Sequence, residues 1–437
     1  MPISPRRTAA RARGAARTAL LMAAGLACGC TDDGPDGGGG AVSRAGDVAA
    51  PSLSPGEFTD AAAEPAAPPG TTAPAEVAAP GNDGAPGDAG ATDGPGTDAS
   101  GPSDAGGPLG SADSGAGLDD GQVSCAATMG DGAAPAPLSL SGNTFAHDPT
   151  MIEVDGVVHR FWTGDFIPSA TSTDLRHWRS APTVYGGDYP GWVDDWLDGV
   201  PGETFNFPWA PDVSRFGGRV HIYSSFSARF GDNVSCITHL TTEDPAQGQW
   251  TDHGPVLCTE GDEPYNAIDA DVALDANGTP FMAFGSFWDG ILAVELDQGG
   301  DPVGGEPVRL AWAPQVEAPV LLRHCGRYYL FVTWGLCCPG EGRSVADLTY
   351  RVAVGRSDHI LGPYLDREGV PMLEGGGTLV VEGDGEQFAA AGHSDVLAFD
   401  GGLYHVYHAY RLPSGAAELR ITPLRFDAEG WPVPTAP

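Results

Sequence analysis

One short pattern recurs five times in the later part of the chain, and it constrains the fold more than any other feature. In the first copy, Asp155-Gly156 separates two apolar runs, which is the usual signal of a tight β-hairpin. The five copies cover residues 146–162, 210–223, 268–284, 317–332 and 393–407. Repetition about every 50 to 75 residues, with only strands inside each unit, is typical of β-propeller blades around a channel. The sequence therefore predicts an all-β, five-bladed propeller.

The charge balance excludes some classes of partner. The chain has 58 acidic residues against 22 Lys and Arg, and a formal net charge of -36. Such a surface disfavours nucleic acid and anionic membrane surfaces, so we expect no nucleic-acid partner. Residues 125–437 are numerous enough for one catalytic domain with a substantial core, and we expect this domain to be a monomer.

Residues 1–30 have the pattern of an export signal, in which arginines precede a short apolar run at 19–27. This run is too short to span a bilayer comfortably. It ends at Cys28 and Cys30, in a segment that resembles the lipobox of bacterial lipoproteins, where a cysteine after small residues is lipidated. Cys30 fits slightly better than Cys28, and ordinary signal cleavage beside two incidental cysteines is the alternative. We therefore expect export, either with a lipid anchor on the outer side of the cell envelope or by secretion.

The next segment, residues 31–124, is a low-complexity stretch of Gly, Ala, Pro, Asp, Ser and Thr. It contains too little apolar area to offset the entropy of ordering the chain, so it is predicted to be a disordered linker. The propeller is then expected to occupy residues 125–437.

Six cysteines remain after the export signal, an even number for an oxidising compartment. They are Cys125, Cys236, Cys258, Cys325, Cys337 and Cys338. Six cysteines allow fifteen pairings. We favour Cys236 with Cys258, because they flank the outer strands of one blade.

Ionisable side chains occupy matched positions in the repeats. These positions hold Asp148, Asp269 and Glu317 in three copies, His393 in the fifth and Trp209 in the second. The first strand of each blade lines the channel, so the side chains should converge at one mouth of it. Three carboxyl groups in one funnel repel one another and must separate in pKa. Hydrolysis of a glycosidic bond requires one protonated and one ionised carboxyl group, which such a funnel could supply. The alternative for each acid is a structural role, in which it begins a strand or caps a turn.

A series of motifs resembles the family-43 glycoside hydrolases. They are Ala146-His147-Asp148-Pro149, Trp209-Ala210-Pro211-Asp212-Val213, Asn266-Ala267-Ile268-Asp269, Gly285-Ser286-Phe287-Trp288-Asp289-Gly290-Ile291 and Val316-Glu317-Ala318-Pro319. Within the family the similarity is to endo-1,5-α-L-arabinanases, on Pro190-Gly191-Trp192-Val193, Cys337-Cys338, Val354-Gly355-Arg356-Ser357, Gly362-Pro363-Tyr364, Gly375-Gly376-Gly377-Thr378 and Gly392-His393-Ser394. The resemblance runs in order over about residues 143–433.

The resemblance implies direct displacement with inversion at the sugar carbon, and hydrolysis of internal α-1,5 bonds of the plant cell-wall polysaccharide arabinan. Asp148 would be the general base that activates water, and Glu317 the general acid that protonates the leaving oxygen. Asp269 would stay ionised, raise the pKa of Glu317 and orient it. Inverting enzymes separate acid and base by about 6.5 to 9.5 Å, and acids on different blades can meet that requirement.

The same resemblance implies roles for other residues. His147, Trp209, Asn266 and Ser286 match substrate-binding positions, with Trp209 as a stacking surface for a sugar. His393 matches a histidine that faces a cation on the propeller axis, most often calcium held largely through water. For each of these residues, simple packing or local hydrogen bonding is the alternative.

One region departs from the family pattern. Pro339 and residues 347–350 stand where the family usually has arginine and a Ser-Thr-Tyr segment after its paired cysteines. This affects the expected contacts with bound sugars and leaves the catalytic acids unchanged. Cys337 and Cys338 can bond to each other, bond elsewhere or stay reduced.

Two other functions are considered. One is an exo-acting α-L-arabinofuranosidase or β-xylosidase of the same fold. The other is a carbohydrate-binding propeller lipoprotein without catalysis, which the presence of three acids disfavours.

Overall fold

The structure is a computed structural model that describes residues 123–130, 133–340 and 343–437. The predicted export signal, the two lipobox cysteines and nearly all of the predicted linker lie outside these residues. Within them there is no helix long and apolar enough to cross a membrane. The first helix, α1 (Cys125–Thr128), begins where the folded domain is predicted to start.

In the described part of the chain, strands form five sheets. The first contains β1 (Ser141–Gly142), β2 (Thr150–Val154), β3 (Val157–Phe161), β4 (Ser169–Ser172) and β5 (His177–Ala181). The second contains β6 (Trp209–Phe216), β7 (Arg219–Ser227), β8 (Val234–Thr242) and β9 (Thr251–Glu260), and the third β10 (Asp271–Leu274), β11 (Pro280–Phe284), β12 (Ile291–Glu295) and β13 (Val308–Ala311). The fourth contains β14 (Val316–His324), β15 (Arg327–Trp334), β16 (Arg351–Ser357) and β17 (Thr378–Glu382), and the fifth β18 (Phe388–Phe399), β19 (Gly402–Arg411) and β20 (Ala417–Pro423).

The helices of the described residues are short; α1 precedes the first strand, and the others lie between strands. A second α-helix, α2 (Gly191–Leu197), precedes β6, and 3-10 turns occupy Pro245–Gln247, Val345–Asp347 and Met372–Glu374. Successive strands of each sheet pair antiparallel, and β1 is added parallel to β5 at the outer edge of the first sheet.

The five sheets are the blades of a five-bladed β-propeller, which confirms the predicted fold. The first strands of the blades contact one another in the order β2, β6, β10, β14 and β18, and β18 contacts β2 to close the ring. These strands run from one end of the axis to the other. Apolar residues fill the space between neighbouring sheets, as where Val320 and Leu322 of the fourth blade pack with Val396 and Leu403 of the fifth. The core therefore lies between blades rather than at the centre.

The tight turns follow the predicted hairpin chemistry. In four of the five first hairpins, both central turn residues have positive φ, as expected for type I′ turns. These pairs are Asp155-Gly156, Gly217-Gly218, Cys325-Gly326 and Asp400-Gly401. Glycine at the second position of each turn avoids the steric cost that a Cβ atom carries there.

Polar side chains of the first strands form a ring of hydrogen bonds that joins the blades. The sequence did not predict this ring. In four places, an oxygen of one first strand accepts a hydrogen bond from a backbone N–H of the next blade's first strand. The pairs are Thr150 with Val213 (3.1 Å), Asp212 with Val272 (3.2 Å), Asp271 with Leu321 (2.7 Å) and Asp395 with Met151 (2.7 Å). The aspartates of these motifs thus hold neighbouring blades in register.

Chain ends and disulfides complete the closure. The segment before β2 continues the fifth blade, because Leu419 and Ile421 of β20 bond with the backbone of Thr144 and Leu138. The predicted Cys236–Cys258 disulfide is confirmed and joins β8 to β9. Two further disulfides, Cys125–Cys325 and Cys337–Cys338, were not assigned from the sequence. The first ties α1 to the turn after β14, at the end of the axis away from Glu317.

Candidate active site

Asp148, Asp269 and Glu317 lie where their first strands begin, and His393 lies at the register shift in the middle of β18. Asp148, Asp269 and Glu317 are all buried, with 7 to 9 % of their surface exposed. The backbone has positive φ at Asp148, Asp269 and His393, and at Ala318 directly after Glu317. Strands β14 and β18 also have register shifts at these points. Bulges of this kind re-aim side chains, and here they occur at Glu317 in β14 and at His393 in β18.

Asp148 lies among three histidines. His393 Nδ1 is 3.0 Å from its Oδ1, His147 Nδ1 is 3.1 Å from its Oδ2, and Thr163 also donates to Oδ2. The backbone N–H of Asp148 donates to His408 Nδ1 at 3.1 Å. Burial alone would raise the pKa of Asp148, but His147 and His393 hold it well below its usual range. Asp148 is therefore an ionised carboxylate at neutral pH.

Glu317 has a different environment. Ser286 Oγ donates to its Oε2 at 2.8 Å, and the Tyr350 hydroxyl donates to its Oε1. Burial raises the pKa of Glu317, and the two hydrogen bonds oppose that rise only in part. Glu317 is therefore more easily protonated than an exposed glutamate, and it is oriented from both sides.

Asp269 lies between these two groups in the ring. Its Oδ2 accepts a hydrogen bond from the backbone N–H of Ala318, the residue after Glu317, at 3.2 Å. Burial raises the pKa of Asp269 to about 8; His393 opposes the rise, while Glu317 and Asp148 add to it. This favours protonated Asp269 at neutral pH, in contrast to the ionised form expected from the sequence.

His393 carries the balancing positive charge. Burial opposes its protonation, but Asp148, followed by Asp269 and Glu317, raises its pKa to about 9. Its backbone N–H donates to Thr333 Oγ1 at 3.0 Å, which holds the middle of β18 against β15. The four residues thus form one electrostatic unit drawn from four blades.

The remaining predicted residues lie in different settings. His147 hydrogen-bonds to Tyr410 through Nε2 at 2.8 Å, and Ser286 contacts Glu317. Trp209 is half-buried, and its ring lies 6.1 Å from that of the exposed Phe230 in an edge-on arrangement. Asn266 is buried, and its Oδ1 has no hydrogen-bond partner.

Four residues of the site were missed. Thr163, Tyr350, His408 and Tyr410 contact the acids or their immediate partners. Tyr350 ends the segment that departs from the family pattern, and it keeps the tyrosine of the family's Ser-Thr-Tyr. That retained tyrosine was the available signal; the other three lie on strands or strand ends with no distinguishing pattern.

Comparisons with known proteins agree with this geometry. Residues 142–432 match the family described as Glycosyl hydrolases family 43. The chain is 35% identical over 311 residues to an extracellular endo-α-(1→5)-L-arabinanase of Bacillus subtilis, covering 69% of this chain and 91% of the relative. It is 34% identical over 307 residues to an extracellular exo-α-(1→5)-L-arabinofuranosidase of Cellvibrio japonicus, covering 65% of this chain and 85% of the relative.

A solved structure gives the same result. An endo-arabinanase from Bacillus licheniformis superposes with a TM-score of 0.61 at 37% identity, over 67% of this chain and 99% of that one. Fold, matched residues and sequence identity agree over the whole propeller. The chain is a glycoside hydrolase and belongs to glycosyl hydrolase family 43.

Proposed function

We propose that this protein hydrolyses internal α-1,5-L-arabinofuranosidic bonds of arabinan with inversion. The observation that carries the proposal is that the pKa values of two buried carboxyl groups are shifted in opposite directions. The pKa of Asp148 is held low and that of Glu317 is raised, within one ring of residues. This is the division into base and acid that glycosidic hydrolysis requires. The arabinanases among its relatives support arabinan as the substrate.

The reaction follows from the two environments. A water molecule attacks the anomeric carbon and gives its proton to Asp148, while the bond to the leaving sugar oxygen breaks. Glu317 donates its proton to that oxygen. Ser286 and Tyr350 orient the carboxyl group of Glu317 during transfer. The site is reset when Asp148 loses its proton to solvent and Glu317 regains one.

Endo action is tested by product analysis on debranched arabinan. We expect early release of oligosaccharides of mixed length, together with a rapid fall in viscosity, because internal bonds are cut. Release of arabinose alone would show the exo action named for the Cellvibrio relative. Binding of arabinan without any released sugar would replace the hydrolase proposal with the carbohydrate-binding one. Parallel assays on xylo-oligosaccharides test the β-xylosidase alternative.

Substrate contacts are proposed for two of the predicted residues. Trp209 presents a half-buried ring next to Phe230, which is suited to stacking on a sugar face. Asn266 offers a buried amide with an unpaired oxygen, which suits a sugar hydroxyl. Trp209 is the first residue of β6, and Asn266 lies in the segment that leads into β10.

Replacing Asp269 with Asn is expected to move the alkaline limb of the kcat/KM profile to lower pH. Glu317 must be protonated to act, so activity is lost as pH rises through its raised pKa. Above its pKa of about 8, Asp269 is a carboxylate, and this charge favours protonated Glu317 in the alkaline range; a neutral amide removes that effect while still accepting from Ala318. The profile is measured on arabinan beside an Asp155→Asn control, which changes an exposed turn residue. An alkaline limb that stays in place would contradict this role for Asp269.

A cation on the axis is proposed, with calcium as the ion. Three buried carboxyl groups, those of Asp148, Asp269 and Glu317, lie around His393, and carboxyl oxygens are the ligands that a hard cation such as calcium prefers. Among the described residues, no three ligand atoms that include His393 lie within 4.8 Å of one another, so the ion would be held largely through water. When bound, it would supply positive charge that favours ionised Asp269.

Chelation is expected to lower the melting temperature by several degrees and to reduce activity, because an ion that binds only the folded state stabilises it. Calcium should restore both properties. His393→Ala should remove the response, whereas His359→Ala changes an exposed histidine and should leave it intact. Full activity and an unchanged melting temperature in protein shown to be free of metal would contradict the proposal.

Export and anchoring are also proposed. Relatives named as extracellular enzymes support export. The described part of the chain begins at Val123. The nearby Cys125 forms a disulfide with Cys325, which lies at the end of the propeller axis opposite the acids. A tether attached there leaves the mouth of the site open to polysaccharide.

Replacing both Cys28 and Cys30 with Ser is expected to move the protein from the membrane fraction to the soluble fraction, since the lipid would have no attachment point. Fractionation with an antibody against the propeller measures this, and labelling with a fatty-acid analogue identifies the modified cysteine in single variants. Unchanged membrane association of the double variant would exclude lipidation as the main anchor. We expect the released domain to be a monomer.

A further inference from the structure

A disulfide between adjacent residues lies at the rim of the site. Cys337 and Cys338 are bonded to each other in the loop between β15 and β16. Cys338 Sγ lies 3.8 Å from His147 Nε2 and 3.9 Å from the Tyr410 hydroxyl oxygen. The disulfide is therefore packed against the two residues that lead to Asp148.

Hydrogen bonds connect the disulfide to Asp148 through Tyr410 and His147. The backbone N–H of Cys338 donates to the Tyr410 oxygen at 3.2 Å. Burial raises the pKa of Tyr410 well above its usual value, so the phenol keeps its proton. The Tyr410 hydroxyl group is hydrogen-bonded to His147 Nε2 at 2.8 Å. The other ring nitrogen of His147, Nδ1, lies 3.1 Å from Asp148 Oδ2.

Both ring nitrogens of His147 are therefore used within the protein. Nε2 is hydrogen-bonded to Tyr410, and Nδ1 is paired with Asp148. A sugar hydroxyl would have to displace one of these partners to bond to the ring. This favours a role in holding Asp148 over the direct substrate contact implied by the family resemblance.

We propose that His147 is a positioning residue for the general base, and that Tyr410 and the Cys337–Cys338 disulfide hold it in place. The inference rests on the proposed role of Asp148 as the base. It assigns a function to the paired cysteines and to Tyr410.

The disulfide holds its own part of the chain in an unfavourable conformation. Cys338 has φ of 68°, in the left-handed region that costs a non-glycine residue about 1–2 kcal/mol. Arg343 Nη1 donates to the carbonyl oxygen of Cys337 at 2.6 Å and supports the other side of the link. Without the covalent bond, Cys338 is free to leave this conformation. Its N–H then no longer orients Tyr410.

The acid side of the site is held separately. Tyr350, at the other end of the same loop, donates to Glu317. Its carbonyl oxygen accepts from Ala391, and the adjacent Thr349 pairs with Leu336. Opening the disulfide should therefore disturb the base and leave the acid in place.

Because the base and the acid are held by different contacts, two substrates with different leaving groups can test the proposal. A weakened base slows every substrate, because water must be activated in each case, whereas a weakened acid slows only substrates with poor leaving groups. For Cys337→Ala/Cys338→Ala we expect kcat to fall about tenfold on both arabinan and an activated aryl arabinofuranoside, as a small misplacement of a catalytic group does. KM should change less than about twofold, because uniform binding is unaffected.

Tyr410→Phe keeps the ring and removes the hydroxyl group, and it should give the same fall. The variant that combines all three substitutions should be no slower than Tyr410→Phe alone, since the disulfide acts through Tyr410. Cys236→Ala/Cys258→Ala is the matched control. It removes a disulfide between β8 and β9 of the second blade and should leave kcat unchanged.

The unmutated protein provides a second measurement that does not depend on folding of variants. A dithiol reductant transfers two electrons and two protons, breaks the S–S bond to give two thiols, and becomes a cyclic disulfide itself. Reduction should lower kcat on both substrates, and removal of the dithiol with reoxidation should restore it. Cys337→Ala/Cys338→Ala should show no further response, which separates this disulfide from the other two.

Several outcomes would overturn the proposal. They are unchanged kcat in the variants, additive losses in the combined variant, a loss confined to arabinan, or a raised KM with unchanged kcat. The last would mean that His147 binds substrate. Activity of the unmutated protein on arabinan is measured first. If it does not hydrolyse arabinan at all, the proposed function itself fails, and the inference about His147 fails with it.

Discussion

Glu317→Gln is expected to lower kcat on arabinan by about 10² to 10⁴, the usual contribution of one general acid or base. The amide keeps the shape of the side chain: its oxygen can accept from one of the Ser286 and Tyr350 hydroxyl groups, and its NH2 group can donate to the oxygen of the other. It has no proton to give to the leaving oxygen. The loss should therefore be chemical, with little change in fold.

The leaving group separates this role from a structural one. An aryl arabinofuranoside with a nitrophenyl group needs little protonation, so Glu317→Gln should keep much of its activity on that substrate, provided that the unmutated enzyme accepts it. Glu368→Gln, which changes an exposed glutamate, is the matched control and should leave both activities intact. Equal losses on both substrates, or a loss on arabinan of tenfold or less, would remove Glu317 from the role of acid.

Asp148→Asn is expected to lower kcat by a similar factor on both substrates. Water must be activated whatever the leaving group is, and the amide cannot accept its proton. The two histidines that lower the pKa of Asp148 would remain next to a neutral side chain, so folding should be checked by circular dichroism.

Azide tests the role of Asp148 directly, because it attacks without needing a base. Added azide should partly restore the Asp148→Asn reaction and give a glycosyl azide of inverted configuration. Asp155→Asn, at an exposed turn, serves as the control and should behave like the unmutated protein. A product of retained configuration would contradict inversion, and full activity without azide would show that Asp148 is not the base.

Much of the fold was predictable, because it depends on local rules. The pairs Asp155-Gly156 and Asp400-Gly401 predict tight hairpins, and both adopt the expected positive φ. Repetition of that hairpin implies equivalent units, and equivalent units with only strands close into a ring. The acids follow from the same logic, since matched positions in a ring must face one axis.

What escaped prediction depends on contacts between distant parts of the chain. Asp212, Asp271 and Asp395 stand in the same repeated pattern as the candidate acids, yet each accepts a backbone hydrogen bond from a neighbouring blade. A carboxylate two residues further along a first strand is indistinguishable by type from one at its start. Only the positions of the blades decide which becomes a link between strands and which enters the site.

The pairing of the cysteines and the protonation state of each carboxyl group also depend on contacts between distant parts of the chain. Fifteen pairings were open, and the distance between Cys125 and Cys325 in the chain gave no reason to join them. The pKa of Asp269 depends on burial and on charges from other blades.

The amino-acid sequence by itself determined the repeated hairpins, the number of blades, the three acids and the family, because each is carried by residue types at short spacing. The tertiary structure alone decided the ring of links between blades, the separate environments of Asp148 and Glu317, and the path from Cys338 through Tyr410 to His147. These depend on hydrogen bonds and electrostatic fields between residues far apart in the chain. Such interactions act over a few ångströms in space, and sequence spacing does not encode that distance.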